Sequence, residues 1–225
     1  MLPPASPTVF VIDDDAAVRK AVSRLLRSAG IAVAGFASPR EFLAQYDPDM
    51  PGCLVLDLAM PDINGLQLQT TLGKKGCTLP IIFLTGHGDV SKSVQAMKHG
   101  AFDFFSKPVK EKDLLPAVRA AIERDAVARR EHAELSEIRA RLDTLTPRER
   151  EVLEHVVAGK LNKQIASDLG ITEATVKMHR ARVMTKMKVQ GVADLVRLAE
   201  VCGIRGRIET EKRNIGLWPV RPAGL

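Results

Sequence analysis

Several side chains suited to phosphate and metal chemistry lie directly after short apolar runs of this 225-residue sequence. In chain order they are Asp13, Asp14, Asp57, Thr85 and Lys107. Neighbouring carboxylates cannot all ionise cheaply without a cation, and Mg²⁺ suits a site with two carboxylates and several waters. A threonine hydroxyl and a lysine ammonium can hold an oxyanion beside such a metal. With Asp57 as the nucleophile, the set predicts a phosphoryl-acceptor site.

The elements that must position these residues are strands of a parallel sheet. Apolar runs of strand length alternate with helical patterns five times, and the runs are 8–12, 31–36, 52–57, 79–86 and 101–108. Such alternation indicates a sheet covered by helices on both faces, and the doubly wound order 2-1-3-4-5 suits its size. Ligands of these sheets bind at the carboxyl ends of the strands, where all the residues above fall.

Three polar residues near the strand ends receive a structural interpretation. Asp15 is predicted to be the N-cap of the first helix, and Asp89 is predicted to cap the helix after the fourth strand. His87 is a candidate base or phosphodonor, but a residue just beyond a strand is more often a surface group. We therefore favour the surface interpretation for His87.

Positive charge is concentrated in the C-terminal part of the chain. The net charge is +6. Residues 1–128 carry 14 basic and 14 acidic side chains, whereas residues 129–225 carry 19 and 13. This excess favours nucleic acid over membrane lipid as a partner, although a mildly biased solvated surface is an equal alternative on charge alone.

The cysteines and the hydropathy pattern favour a cytoplasmic protein. Cys53, Cys77 and Cys202 lie far apart without a Cys-x-x-Cys motif, so we expect reduced core thiols rather than a disulfide framework or a zinc site. The first ten residues lack a basic segment and a long apolar stretch, and no apolar run approaches the length of a membrane span.

A charged helix is predicted over residues 123–145, and a four-helix unit follows it. The helix carries an apolar stripe with spacing 3, 4, 3, formed by Leu135, Ile138, Leu142 and Leu145. Packing of this stripe on its own domain and a coiled-coil dimer contact are equally compatible with the spacing. In the following unit, Thr146 and Glu149 form a capping box, and Thr172 is a predicted N-cap.

A short helix, a turn at Gly170 and a longer helix predict a helix-turn-helix that places the longer helix in the major groove of DNA. Val176, Val183 and Met187 are spaced to face the core. The basic residues of this helix are Lys177, His179, Arg180, Arg182 and Lys186. A solvated, charged helix face is the alternative.

Four motifs, VIDDD, LVLDLAMPDINGL, FLTGHGD and DFFSKP, together resemble the receiver domain of two-component response regulators over residues 8 to about 125. The resemblance implies that Asp57 is the phosphoacceptor. It implies a Mg²⁺ site formed by Asp13, Asp14, Asp57 and the carbonyl of Ala59. It also implies a switch threonine, a phosphate-binding lysine and a rotating aromatic residue, which are Thr85, Lys107 and Phe104.

Residues 142–200, with the motif TVKMHR, resemble the LuxR-type four-helix DNA-binding domain. With the receiver in front, the chain is similar to NarL/FixJ-type response regulators and closer to FixJ. The resemblance places residues 191–200 at a dimer contact. The DNA-contact candidates are Thr175, Lys177, Met178, His179, Arg180, Arg182 and Lys186. Base specificity does not transfer, because Met178 and Ala181 occupy positions that vary among these regulators.

The resemblance implies a cytoplasmic transcription regulator without membrane contact. A sensor histidine kinase would phosphorylate Asp57, after which the protein would dimerise, or release its DNA-binding domain, and bind promoter DNA. RNA polymerase is a further candidate partner. We expect a receiver at 1–125, a helical linker at 126–141 and a DNA-binding domain at 142–203. We expect a disordered tail at 204–225, with Trp218 loose rather than docked in a groove.

Two other function classes are open to test. Aspartate-based phosphohydrolases place an acid/base aspartate two residues after the nucleophile, where this chain has Ala59. We therefore expect no enzyme beyond slow hydrolysis of its own acyl phosphate. A receiver that acts as a phosphate-independent docking platform is disfavoured because the acidic set is intact.

Overall fold

The computed structural model describes residues 6–86 and 90–204, without the side chains of residues 90–93. The chain divides into two compact units, residues 1–131 and 132–225. The predictions for His87, for the Asp89 cap, for residues 205–225 and for Trp218 lie outside the described residues.

The first unit is built on a five-stranded parallel sheet in the order β2-β1-β3-β4-β5, which confirms the predicted topology. Its strands are β1 (Thr8–Ile12), β2 (Ala32–Phe36), β3 (Gly52–Asp57), β4 (Ile81–Thr85) and β5 (Asp103–Ser106). Every residue of β3 and β4 is buried because helices cover both faces of the sheet. This burial fixes the two strand ends that carry Asp57 and Thr85.

A helix follows each strand of this unit. These helices are α1 (Ala16–Ser28), α2 (Pro39–Gln45), α3 (Gly65–Lys74), α4 (Val90–Lys98) and α5 (Glu111–Asp143). Asp15 is the N-cap of α1, as predicted, and its carboxylate accepts hydrogen bonds from the N–H groups of Ala17 and Val18 at 2.7 and 3.3 Å. One aromatic cluster on the sheet, made by Phe10, Phe36 and Phe42, packs ring against ring.

Helix α5 is a single helix of 33 residues that includes the segment predicted as a linker. Within the first unit, Arg129 donates hydrogen bonds to the carbonyls of residues 48, 49 and 50. Its Nε atom lies 2.8 Å from Oδ2 of the buried Asp125, which also accepts the N–H of Gly52 at 2.8 Å. Part of the predicted linker is therefore bound to the loop that precedes β3.

In the second unit, four helices follow α5 within the described residues up to 204, in agreement with the sequence pattern. They are α6 (Pro147–Val157), α7 (Asn162–Leu169), α8 (Glu173–Met187) and α9 (Val192–Val201). The capping box of Thr146 and Glu149 is present, and Gly170 ends α7 in the left-handed conformation. Ile204, which was expected to open the tail, packs against the core of this unit.

The apolar stripe at the end of α5 is used inside the second unit. Leu142 and Leu145 are buried in its core, and Ile138 packs against them. Of the two interpretations of the stripe, packing on its own domain is therefore the one that the structure supports for these three residues. Within residues 6–86 and 90–204, no helix combines the length and apolarity needed to span a membrane.

All three cysteines are unpaired, as expected from their spacing. Cys53 is buried in β3, and burial raises the pKa of its thiol to about 12. A thiol with such a pKa stays protonated at neutral pH and packs as a small apolar group.

Candidate functional site

The acidic residues meet at the carboxyl end of the sheet because their strands are neighbours. Asp57 is the last residue of β3, and Asp13 directly follows β1, which pairs with β3 up to Ile12 and Leu56. Carboxylate oxygens of Asp13, Asp14 and Asp57 lie within 4.8 Å of one another. Asp13 and Asp57 are buried, whereas Asp14 is exposed to solvent.

Lys107 supplies the positive charge of this cluster. Its Nζ atom lies 2.8 Å from Oδ2 of Asp13 and 2.9 Å from Oδ1 of Asp57. The backbone N–H of Lys107 donates to the carbonyl of Thr85 at 2.7 Å, which fixes the loop after β5 to the end of β4. One ammonium is therefore shared between two buried carboxylates.

The charges at this site influence one another. Burial raises the pKa of Asp13 above its ordinary value, Lys107 opposes this effect, and the negative charge of Asp57 adds to it. For Lys107, burial is the largest influence and lowers the pKa, but Asp13 and Asp57 together outweigh it, so the pKa is raised. The lysine is therefore held in its charged form.

The donor set fits a hard divalent cation. Three carboxylates with one lysine leave a net negative site, and oxygen ligands of this kind are those that Mg²⁺ prefers. Apart from its ion pair with Lys107, Oδ2 of Asp13 meets no hydrogen-bond donor among the described residues. A carboxylate oxygen that accepts from Lys107 alone keeps a lone pair with which it could coordinate a metal.

Thr85, Phe104 and Ala59 occupy different surroundings on the same unit. Thr85 is buried at the end of β4, and its hydroxyl donates to the carbonyl of Gly86 at 3.2 Å. Phe104 lies on β5 and is 43% exposed. Ala59 is exposed in the loop after β3. Thr85 is thus buried and linked to Lys107 by a backbone hydrogen bond, whereas the ring of Phe104 lies on the surface.

Two residues that support the site were missed in the sequence. Gly65 begins α3, and a Cβ atom there would lie 2.5 Å from the carbonyl oxygen of Asp57 and 2.8 Å from the ring of Phe83. Arg19 of α1 donates to the carbonyl of Asp13 at 2.6 Å. The glycine eight residues after Asp57 was a visible signal, because a conformationally free residue at a helix start often marks a close backbone approach.

In the second unit, α8 presents part of its predicted DNA-contact set to solvent. Val176, Val183 and Met187 are buried, as predicted, and pack on the core. On the rest of the helix, Lys177, Met178 and Arg182 are exposed, whereas Thr175, His179 and Arg180 are half-buried. The guanidinium of Arg180 also donates a hydrogen bond to Oδ1 of Asn162 on α7 at 2.7 Å.

Lys186 differs from the other basic residues of α8. Its Nζ atom lies 2.6 Å from Oε2 of Glu149 and donates to the carbonyl of Thr144 at 2.9 Å. Glu149 is buried, and Lys186 is the main cause that lowers the pKa of this carboxyl. The sequence resemblance predicts a DNA contact for Lys186, and the structure shows that its charge neutralises a buried carboxylate.

Two family models cover the two units. Residues 9–119 match the response regulator receiver domain, and residues 143–199 match the bacterial regulatory proteins of the luxR family. Over 196 residues the chain is 45% identical to Nodulation protein W of Bradyrhizobium diazoefficiens, with 87% of this chain and 86% of that protein covered. The chain belongs to the response regulators with a LuxR-type DNA-binding domain.

Two further relatives agree with this assignment. The response regulator is 46% identical over 193 residues to the transcriptional regulatory protein FixJ of Rhizobium meliloti, covering 85% of this chain and 94% of FixJ. Its structure is similar to that of the response regulator StyR, with a TM-score of 0.81 at 43% identity and coverage of 87% and 99% of the two chains. The predicted resemblance to FixJ-like regulators is confirmed.

Proposed function

We propose that this response regulator controls transcription through phosphorylation of Asp57 by a sensor histidine kinase in the cytoplasm. The observation that carries the proposal is the ion-paired acidic cluster. Asp57 ends a buried strand beside Asp13 and Asp14, with the ammonium of Lys107 2.9 Å from its Oδ1 atom. The buried strand holds the carboxylate in place next to the exposed residues Asp14 and Ala59, from whose side a phosphoryl donor would approach.

The reaction is a phosphoryl transfer to a carboxylate. An oxygen of Asp57 attacks phosphorus, the bond from phosphorus to the kinase histidine breaks, and the imidazole nitrogen leaves with the bonding electrons. Lys107, whose ammonium lies 2.9 Å from Oδ1 of Asp57, would stabilise the negative charge on the phosphoryl oxygens. Asp13, Asp14, Asp57 and the Ala59 carbonyl would hold Mg²⁺, which supplies further charge neutralisation when bound.

Thr85 and Phe104 are proposed to respond to the new charge. The Thr85 hydroxyl donates to the neighbouring Gly86 carbonyl, and a phosphoryl oxygen on Asp57 is a stronger, charged acceptor. Inward rotation of Thr85 would leave a space that the exposed ring of Phe104 can fill. The surface of α4, β5 and α5 would then change and promote dimerisation or release the DNA-binding domain.

The second unit is proposed to bind promoter DNA through α8. Lys177 and Arg182 are exposed cations that would contact phosphates, and Thr175, Met178, His179 and Arg180 are the candidates for base or backbone contacts. Lys186 is left out of this set because Glu149 holds its ammonium. Residues 191–200 would form the dimer contact, and RNA polymerase is a further proposed partner.

The phosphorylation switch is tested with acetyl phosphate and Mg²⁺. The wild type should dimerise or bind promoter DNA more tightly, whereas Asp57→Asn should not respond. Asp62→Asn is the matched control, because Asp62 is an exposed carboxylate in the loop after β3. An equal response of Asp57→Asn would refute the mechanism.

The DNA proposal has its own measurement, the salt dependence of binding. If a dimer neutralises roughly four to eight phosphates, the log–log slope of affinity against salt should be about −4 to −7, because bound counterions are released. A flat response would contradict the role proposed for α8.

Hydrolysis of the acyl phosphate is proposed to be slow. Phosphohydrolases that use an aspartate nucleophile carry an acid/base aspartate two residues later, and Ala59 has no such group. Sustained turnover of a small phosphate ester would contradict this expectation and would favour the enzyme interpretation.

A further inference from the structure

Helix α8 carries a second apolar stripe on its solvent side. The residues of this stripe recur at helical spacing and are all exposed: Ala174, Met178, Ala181 and Thr185. The helical period places them opposite the buried Val176, Val183 and Met187. Met178, the largest of the four, is 41% exposed. Burial in the core explains the apolar residues on the inner face of the helix, but it does not explain those on the outer face.

The outer stripe has almost no hydrogen-bonding capacity. Alanine and methionine side chains offer no strong donor or acceptor. The hydroxyl of Thr185 donates to the carbonyl of Ala181 at 3.0 Å, so it is already used by the helix itself. What the stripe presents to a ligand is therefore mainly methyl and methylene groups.

Positive charge lies on both sides of this stripe. Lys177 and Arg182 are exposed, and the helical period places them on opposite flanks of the stripe. An apolar strip with one exposed cation on each flank matches the DNA major groove, in which base edges lie between two phosphate backbones. The charge makes DNA a better partner for this face than a second apolar protein surface.

We propose that the outer stripe, with Met178 at its centre, reads the 5-methyl groups of thymine in the major groove. The inference rests on the proposed binding of DNA by α8 and adds the class of base that is recognised. Guanine and adenine are usually read by arginine, lysine, asparagine or glutamine, whereas thymine is read through apolar contact with its methyl group. The half-site should therefore contain thymine where it meets Met178.

The test uses duplexes selected by the full-length, acetyl-phosphate-treated protein from a randomised DNA pool. The selected sequences are made again with deoxyuridine in place of thymidine, which removes only the methyl groups. Thymine should be enriched in the selected half-sites. Deoxyuridine should weaken binding by the wild type about four- to fifteenfold, as expected for the loss of one or two buried methyl contacts.

Two variants separate methyl recognition from general binding. Met178→Ala should bind the thymidine and deoxyuridine duplexes with nearly equal affinity. Its thermal unfolding should not change, because the side chain is exposed. Lys177→Ala should weaken both duplexes by the same factor and lower the salt slope by about one, as expected for a phosphate contact.

Three results would overturn the inference: half-sites selected without thymine, equal wild-type affinity for both duplexes, or an unchanged thymidine preference in Met178→Ala. A Met178→Ala variant with normal DNA affinity but impaired dimerisation would assign the stripe to a protein contact and overturn it as well. Failure of the pool to enrich any sequence would instead refute the proposed binding of DNA.

Discussion

Replacing Lys107 by methionine removes the ammonium that lies between the two buried carboxylates of Asp13 and Asp57. Carboxylate oxygens of the acidic residues lie within 4.8 Å of one another, and at an effective dielectric constant of about 20 two such charges repel by about 3–4 kcal/mol. Loss of one partner of a buried ion pair typically costs 3–5 kcal/mol. Because the Lys107 side chain is 21% exposed, we expect Lys107→Met to lose about 2–4 kcal/mol of stability without metal.

Magnesium should reverse much of this loss. Lys107 and Mg²⁺ are both counter-charges to Asp13 and Asp57, so the metal should stabilise Lys107→Met more than it stabilises the wild type. A ligand at one hundred times its Kd stabilises the native state by about 2.7 kcal/mol. The difference in free energy of unfolding between the wild type and Lys107→Met should therefore decrease as Mg²⁺ is added.

The assay is urea unfolding of the full chain, followed by tyrosine fluorescence with and without Mg²⁺. Tyr46 is the only tyrosine of the chain and packs on Phe42 of the receiver core, with ring centroids 5.4 Å apart. Lys110→Met is the matched control, because Lys110 is exposed in the same loop. A Lys107→Met variant as stable as the wild type, or one that Mg²⁺ does not rescue, would refute the reasoning.

Two further predictions concern stability. Lys186 lowers the pKa of Glu149 in the folded protein, whereas a glutamate in the unfolded chain has a pKa of about 4.3. The ion pair therefore stabilises the fold fully above a pH of about 4.3. Its contribution is lost as the pH falls through the lower pKa of the folded state. In chemical unfolding, Glu149→Gln should lower the free energy of unfolding by about 3 kcal/mol at neutral pH and by little in acid. The control Glu151→Gln removes an exposed ion pair and should lower it by less than about 1 kcal/mol. Equal losses in the two variants would contradict the prediction. Gly65→Ala should lose about 2 kcal/mol and slow the reaction with acetyl phosphate, because its Cβ meets the Asp57 backbone. Gly73→Ala, with open space in the same helix, should gain about 0.5–1 kcal/mol, and a reversed order of the two alanine variants would contradict the prediction.

The receiver fold could be predicted from local patterns in the sequence. Strands β3 and β4 are continuous apolar runs, which is the pattern of a parallel sheet buried on both faces. The caps at Asp15, Thr146 and Thr172 were also predictable, because an N-cap is a contact between residues three positions apart or fewer. The acidic cluster followed from topology, since neighbouring parallel strands end at the same edge.

Contacts between residues far apart in sequence could not be predicted from local patterns. Lys186 resembles the exposed cations of α8 in type, and its partner Glu149 lies 37 residues earlier. A signal was present, because Lys186 is adjacent to the buried Met187 and close to the core face of the helix. Arg129 is another such case, since its partners in the loop at 48–50 are about 80 residues away.

The packing partner of the apolar stripe at the end of α5 could not be predicted from its spacing. Spacing alone gave equal support to a dimer contact and to packing on its own domain, because both bury one face of a helix. The structure distinguishes them by burying Leu142 and Leu145 among residues of the second unit. A tertiary contact, rather than a stronger local pattern, was needed to decide between them.

The most direct test of the account is peptide mapping by mass spectrometry after incubation with acetyl phosphate and Mg²⁺. The peptide that contains Asp57 should gain the mass of one phosphoryl group in the wild type and in Asp62→Asn, but not in Asp57→Asn. Absence of the adduct in the wild type, or an equal adduct in Asp57→Asn, would contradict the proposal that this carboxylate accepts the phosphoryl group.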